Sequence, residues 1–444
     1  MNGDTYDVTI WYSTFGMTDS HDYATREYLL SLLSVGYDGI RLPPAARGVL
    51  FDTERDPELE RFLPLTRPPE QHRMSKLKRI QHGDPRIGTW KTIESIDKDT
   101  GISTKTKVLV TEGSVDLDEV QEYVKNPEVR VKTTVIHHDP SSIARTYTGL
   151  IRGGRPLGIS YCGITVWETN MIPDGVARVL SELDCLIVPS QYSADAFIYS
   201  EVETPIHIIP HAFDQRKWPK PMAAELKRGK RDKFIFYTIG THIERKNLKG
   251  LLKAYITAFE GAKDVQLRIK TFGEKIKFSD LYAEVIDEMK INTADIPDVK
   301  FFLENWTTEK MRAFHLDGDC FISATRGEGF GLCEFEAKLC GRRVITTDGG
   351  ATKEFLVPNM FKSSSDDILV PAKMIFVENM YGIGCYDVDQ EWYDPKFDAL
   401  VEAFRRAKRE GPKVDKNSYE FLQSRYNHKV IGEQLANTLD KYKV

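Results

Sequence analysis

One short segment of this 444-residue chain gathers most of the residue types that sugar and phosphate chemistry needs: Arg326-Gly-Glu-Gly-Phe-Gly-Leu-Cys-Glu-Phe-Glu336. Three glycines in five residues let the backbone turn sharply and come close to a ligand. The segment follows the apolar run Cys320-Phe-Ile-Ser323 and leads into an apolar stretch from Phe335 to Cys340, a strand, turn and helix in sequence. The first amides of such a helix face outward with the positive end of its dipole behind them, which suits a diphosphate. Glu328 and Glu336 flank the turn with seven residues between them, one on the loop and one on the helix. Carboxylates so placed accept hydrogen bonds from paired hydroxyls, such as those of a ribose or a hexose.

Positive charge stands elsewhere. In Tyr237-Thr-Ile-Gly-Thr-His-Ile-Glu-Arg-Lys-Asn247 a strand runs into a helix, and Arg245 and Lys246 sit at the helix start, where acids are the usual choice. Two cations there point to an anion nearby; a solvated helix start has the same composition. His137-His138-Asp139-Pro140 ends an apolar strand, where a residue facing a cleft belongs. His138 is the preferred candidate, because His137 alternates inward. The pair lacks a third ligand at any metal-binding spacing. Glu168, after Trp167, either binds an acceptor hydroxyl or serves as a base or structural carboxylate. Gly16 lies in a polar loop with Thr18-Asp-Ser-His-Asp22, between a first strand and a first helix. Asp317-Gly-Asp319 looks like a metal-binding DxD, but it stands at a glycine-bearing turn from helix to strand, where such residues serve the turn.

These loops need elements to hold them. The first half opens with Val8-Thr-Ile-Trp-Tyr-Ser13 and a stripe of Tyr28, Leu29, Leu32 and Leu33 ending at Gly36, the start of an α/β unit. Residues 43–107 lose that pattern and read as an insertion with short helices; within it, 72–82 form an amphipathic basic stretch that packs on its own domain or touches an anionic surface. Strand-like runs return at Val131 to His137, Gly158 to Trp167, Cys185 to Pro189 and His207 to Pro210, with helices at Val176 to Leu183 and Ser193 to Ser200. Residues 215–232 are basic and bear prolines, and read as a solvated linker or a polyanion patch. Beyond it strands and helices alternate: strands begin at Lys233, Val265, Val299, Cys320 and Val344, helices at Leu248, Ser279, Thr308 and Phe335. That alternation predicts an α/β fold of parallel sheets covered on both faces. Two such units joined by a linker, 1–214 and 233–425, enclose a cleft, and function belongs to the loops after the strands. The remaining 426–444 read as a helix.

Composition narrows the classes. Sixty-one basic against sixty-six acidic residues give a net charge of −5, which argues against a general nucleic-acid or membrane-coating protein. No run of 18 apolar residues exists, so at most peripheral membrane contact is expected. The polar start Met1-Asn2-Gly3-Asp4 and six cysteines without a CxxC pair suggest reduced thiols and a cytoplasmic protein.

Glu328-Gly-Phe-Gly-Leu-x-x-x-Glu336 resembles the E-x7-E signature of retaining glycosyltransferases with the two-Rossmann GT-B fold, specifically glycosyltransferase family 4. The resemblance runs over nearly the whole chain except 43–107. The Tyr237 to Asn247 segment is similar to the strand and loop that supply cations to a donor diphosphate, and Thr347-Asp-Gly-Gly-Ala-Thr-Lys-Glu354 to the following Gly-Gly…Glu turn. Val166-Trp-Glu-Thr169, Val188-Pro-Ser190 and Ile209-Pro-His-Ala-Phe-Asp214 match first-domain stretches, and Tyr426 to Leu435 matches a C-terminal helix that crosses back to the first domain.

What the resemblance implies is a GT-B enzyme that moves a sugar from a UDP- or GDP-sugar to a glycan or other hydroxyl acceptor, with retention, without metal or other cofactor and without a nucleic-acid partner. It places Lys246 on the diphosphate, Glu336 on the ribose and Glu328 near the transferred sugar. Gly329, Phe330, Gly331 and Leu332 would surround sugar and phosphates, Gly16 would lie in the closing loop, and His138 would face the donor. His137 and Glu168 fall on the acceptor side. Many members carry Arg where this chain has Thr241; Arg245 then stands in for it. The residues leave open the course of displacement, and also a catalytically silent sugar-nucleotide-binding module or a sugar-nucleotide epimerase.

Overall fold

Short apolar, β-branched runs form the strands, and those buried on both faces lie inside parallel sheets. The computed structural model describes residues 6–13, 20–37, 39–41, 89–96, 103–110, 129–227, 229, 231–271, 275–356, 366–378, 380 and 385–443. In the first domain, β1 (Tyr6–Ser13) and β2 (Ile40–Arg41) precede an antiparallel hairpin, β3 (Thr89–Ile96) and β4 (Ser103–Val110). β5 (Val129–His137), β6 (Ser160–Ile164), β7 (Cys185–Val188) and β8 (Ile206–Ile208) follow. Six of these form one all-parallel sheet in the order β2-β1-β5-β6-β7-β8.

The second domain repeats the plan with β9 (Phe234–Ile239), β10 (Val265–Lys270), β11 (Asp298–Phe302), β12 (Cys320–Ile322), β13 (Arg343–Thr347) and β14 (Ile368–Val370), in the order β11-β10-β9-β12-β13-β14 and again all parallel. Every residue of β9, β12 and β13 is buried. The helix Leu248–Phe259 lies where its apolar spacing puts it, and packs Tyr255 and Phe259 with Phe236 and Phe404 around an edge-to-face aromatic cluster. A second antiparallel pair, β15 (Ala372–Phe376) and β16 (Glu391–Pro395), leaves the second sheet toward the first domain.

The chain passes between the domains at Asp214 and returns at Asn427. The two crossings touch: Phe213 N donates to Tyr426 O at 3.1 Å. Asn427 breaks the chain into helices Ser418–Tyr426 and His428–Lys441 and caps the second by accepting from Val430 N. The last helix packs on Ser20–Ser34, where Ile431, Leu435 and Leu439 share a core with Tyr28, Leu29 and Leu32. A Cβ on Gly432 would stand 2.1 Å from Ser31 O, so only glycine permits this approach.

Within the 43–107 insertion the described residues belong to the β3–β4 hairpin, whose alternating residues, as in Ser-Thr-Lys-Thr-Lys-Val-Leu-Val, suit a two-sided strand; the short helices expected there fall outside the described residues. Residues 72–82 lie outside the described residues. Most of the described residues of 215–232 are exposed, and the stretch is anchored at points: Trp218 is 2% exposed, Tyr419 Oη donates to its carbonyl, and Arg216 and Arg231 pair with Asp214 and Asp317. All six cysteines are free thiols, and among the described residues no helix is long and apolar enough to cross a membrane.

Candidate active site

In an open parallel sheet, the crevice for ligands opens where the strand order reverses. In the second sheet that point lies between β9 and β12, so the loops after them, 240–247 and 323–331, meet there. In the first sheet it lies between β1 and β5. The loop after β5 carries His138, and Gly16, after β1, lies outside the described residues.

The glycine-rich loop is pressed onto the first domain. A Cβ on Gly327 would stand 2.0 Å from Glu168 O, and one on Gly329 would stand 2.1 Å from Val166 Cγ2 and 2.8 Å from Trp167 O. Gly331 takes a left-handed φ of +89° as the cap of helix Leu332–Leu339. Ser190, which caps helix Gln191–Tyr199, donates its hydroxyl to Gly329 O at 2.6 Å. Phe330 is buried and meets His211 edge-to-face across the domain boundary.

Beneath the loop the charges converge. Asn247, itself left-handed, caps helix Leu248–Phe259 through Gly250 N and so fixes the preceding turn Glu244–Lys246. Lys246 Nζ lies 2.5 Å from Glu328 Oε1, which also accepts from Thr325 Oγ1 at 2.8 Å and lies 3.4 Å from Arg245 Nη1. Arg245 Nη1 donates to Gly327 O at 2.6 Å, and its Nη2 lies 3.3 Å from Glu168 Oε1. Burial would raise the Glu328 pKa, but Lys246 and Arg245 reverse that and hold it below the ordinary carboxylate value. Burial works equally against the cations. Glu328 restores the charge on Lys246, and Glu168, Tyr386 and Glu328 that on Arg245, so both are held above their ordinary values.

The structure therefore brings Lys246, Arg245, Glu328, Glu168 and the Gly329 to Leu332 backbone into one place. Thr241 sits at its exposed edge. Glu336 is half-buried and lies beside this cluster rather than in it, 3.5 Å from His315 Nε2. His138 is half-buried, with Nδ1 2.5 Å from Asp139 Oδ2, and Asp139 also caps helix Pro140–Leu150. His137 lies in the first-domain core, 2% exposed, against Trp11, Tyr28 and the Thr25 hydroxyl, as its inward alternation requires. The Asp317-Gly-Asp319 carboxylates serve the fold: Asp317 pairs with Arg231 and Arg268, and Asp319 accepts from Ile235 N at 2.7 Å.

Two residues that sequence reasoning missed belong here. Tyr386, between β15 and β16, stacks on Trp167 with ring centroids 4.9 Å apart and donates to Glu168 Oε2 at 3.2 Å. Its neighbours hold the same strap to the first domain: Cys385 Sγ meets Ser141 Oγ, and Glu391 N donates to Asn170 Oδ1. No local pattern marks these contacts. Glu334, in the first turn after the glycine loop, is buried beside Glu328 and Lys246; its signal was a carboxylate on the inner face of an apolar helix.

No family model matches the chain. It is 23% identical over 284 residues to the uncharacterised protein 356 of Sulfolobus islandicus rod-shaped virus 1, spanning 63% of this chain and 76% of that one. Among solved structures it is similar to the sucrose-phosphate synthase of Thermosynechococcus elongatus, with a TM-score of 0.60 at 14% identity over 98% of both chains. It is also similar to Anabaena HepE in complex with UDP-glucose, with a TM-score of 0.58 at 13% identity over 98% of this chain and 99% of that one. TarM aligns over 100% of both chains at 10% identity with a TM-score of 0.57. These likenesses establish the fold: two Rossmann-like α/β domains facing one another across a cleft, the GT-B arrangement of glycosyltransferases.

Proposed function

We propose that this chain is a glycosyltransferase that moves a sugar from a UDP- or GDP-sugar to a hydroxyl of an acceptor, a glycan, with retention of configuration and without metal. The observation that carries the reading is the Lys246–Glu328 pair, with Arg245 beside it, beneath a glycine-rich loop at the switch point of the second sheet. Breaking the bond between sugar and nucleotide leaves negative charge on a diphosphate, and preorganised positive charge lowers the barrier to that step. Lys246 and the first amides of helix Leu332–Leu339 supply it, with Arg245 as the second cation. Glu328 holds Lys246 in place and offers its oxygens to the hydroxyls of the transferred sugar, with Glu336 reserved for the ribose and His138 for the donor face of the first domain. UDP and UDP-glucose in crystals of HepE lend the donor class support by analogy of fold.

The test is a panel of UDP-, GDP-, ADP- and dTDP-sugars incubated with the protein in EDTA, with nucleotide release as the readout. Release from one donor, lost in Lys246→Ala, is expected. A free sugar epimer beside the nucleotide would instead make it an epimerase. Silence across the panel, with no nucleotide-induced thermal shift, would overturn the reading.

A further inference from the structure

His315 is fully buried near the end of helix Thr308–Asp317, and only one of its two ring nitrogens makes a hydrogen bond. The rings of Tyr237, Trp218 and Phe321 surround the imidazole, with centroids 5.5, 5.9 and 6.0 Å away. The end of the helix presses on the Tyr237 ring, where a Cβ on Gly318 would stand 2.1 Å from it. Tyr237 is itself fully buried; its Oη lies 3.2 Å from His315 Nδ1 and has no other acceptor among the described residues. The phenol therefore donates to Nδ1, which leaves the ring proton on Nε2. That N–H faces the Glu336 carboxylate, whose Oε2 is 3.5 Å off, just beyond hydrogen-bond length. Buried donors are seldom left unmade, and a Phe would fill this aromatic cage without leaving one. Glu336, half-buried on helix Leu332–Leu339, stands between this cage and the domain boundary. Burial raises the Cys333 thiol and the Tyr23 phenol of the first domain, and the Glu336 charge adds to both shifts.

Resting on the donor-site reading above, we propose that His315 is a positioning residue for the nucleotide ribose: its Nε2–H takes hold of Glu336 Oε2 and fixes that carboxylate for the vicinal hydroxyls. A shift of about half an ångström closes the bond. Each carboxylate oxygen carries two lone pairs, so Oε2 accepts from His315 and from one hydroxyl, and Oε1 from the other. A carboxylate free to turn would settle for one hydroxyl and water. A fixed one has an oxygen committed to the second hydroxyl, which a 2′-deoxyribose cannot fill. The pair thus selects ribonucleotides and disfavours dTDP-sugars.

The experiment is calorimetric titration of the full chain with UDP, GDP and their 2′-deoxy counterparts. The wild type is expected to prefer a ribonucleotide over its deoxy form by about ten- to a hundredfold, the scale of one hydrogen bond to a charged group. His315→Phe keeps a ring and loses the N–H. It should bind the ribonucleotide about tenfold more weakly and the deoxy form nearly as before. His315→Gln, whose amide reaches the place of Nε2, should restore most of the preference. A folded His315→Phe that keeps the wild-type preference, or weakens both forms alike, overturns the proposal and leaves the donor site standing. So does a wild type that binds both forms equally. Failure of all four nucleotides to bind overturns the donor site, and this proposal with it. In wild-type protein carrying nitrogen-15 histidine, one ring Nε2–H signal should move downfield with the ribonucleotide and stay with the deoxy form. No such shift would sink the idea without recourse to any variant.

Discussion

The guanidinium of Arg245, on the second domain, lies 3.3 Å from the carboxylate of Glu168, on the first, and both are largely buried. A buried pair is costly to break from one side, by about 3–5 kcal/mol, because the remaining charge keeps its desolvation penalty. Glu168→Gln and Arg245→Met are each expected to lower the denaturation midpoint clearly, and the double variant to recover part of the loss. A double-mutant cycle by chemical denaturation checks it; strict additivity would mean the contact carries no coupling.

Lys246→Met leaves Glu328 buried without its nearest cation. Turnover of the proposed donor is expected to fall by roughly 10²–10³, the scale of losing one preorganised charge at a developing anion. Glu328→Gln should loosen the Lys246 side chain and raise KM more than Lys246→Met does. Steady-state kinetics on the donor found in the panel would separate the two.

Stability should depend on pH through Glu334. The unfolded chain releases this proton near 4.5 and the folded chain near 7, so between those values the native state binds more protons. Its contribution is therefore complete below about pH 4.5 and lost as pH rises through 7, on the order of 3 kcal/mol in all. Glu334→Gln should melt higher than wild type at pH 8, with the gap closing toward pH 5. Equal gaps at both pH values would show that Glu334 does not titrate in this window.

Gly329→Ala tests the closure of the loop on the first domain. Its Cβ would overlap Val166 and approach the Trp167 carbonyl, so the loop must retreat while both sheet cores stay intact. Circular dichroism and melting should change little, and nucleotide affinity should drop at least tenfold. A variant with wild-type affinity would show that the loop's seat on Val166 is irrelevant to binding.

Asp319→Ala probes the resemblance to a metal motif. Loss of the acceptor for Ile235 N costs about 1–3 kcal/mol. Activity per folded molecule should match wild type, with and without EDTA. A selective loss of activity in a stable Asp319→Ala protein, restored by divalent metal, would assign the motif to chemistry instead.

How much of this could be read in advance depends on the range of the forces. Parallel strands buried on both faces leave continuous apolar runs, so Phe234–Ile239 and Cys185–Val188 were legible, and an apolar stripe marked the helix Leu248–Phe259. Period-two alternation separated His137 from His138. The strap was not legible, because Tyr386 finds its partners Trp167 and Glu168 some two hundred residues away and nothing in its own neighbourhood requires them. Glu334 carries no such local mark, because the seven-residue spacing from Glu328 falls on Glu336, two places on. In the β3–β4 hairpin, the Pro-rich and charged surroundings obscured a local alternation.

The helix His428–Lys441 carries a consequence for how the chain folds during synthesis. Glu27 and His428 are 401 residues apart in sequence and 2.6 Å apart in space. The second domain is one continuous stretch and can close its core as it emerges. The first keeps Tyr28, Leu29 and Leu32 uncovered until the final helix arrives, a wait on the order of tens of seconds at ordinary translation rates. Order of synthesis is thus reversed in order of completion: the domain begun first is finished last, and a ribosome stalled with the chain outside its tunnel only as far as Tyr426 would hold a mature second domain beside an exposed apolar groove that invites chaperones.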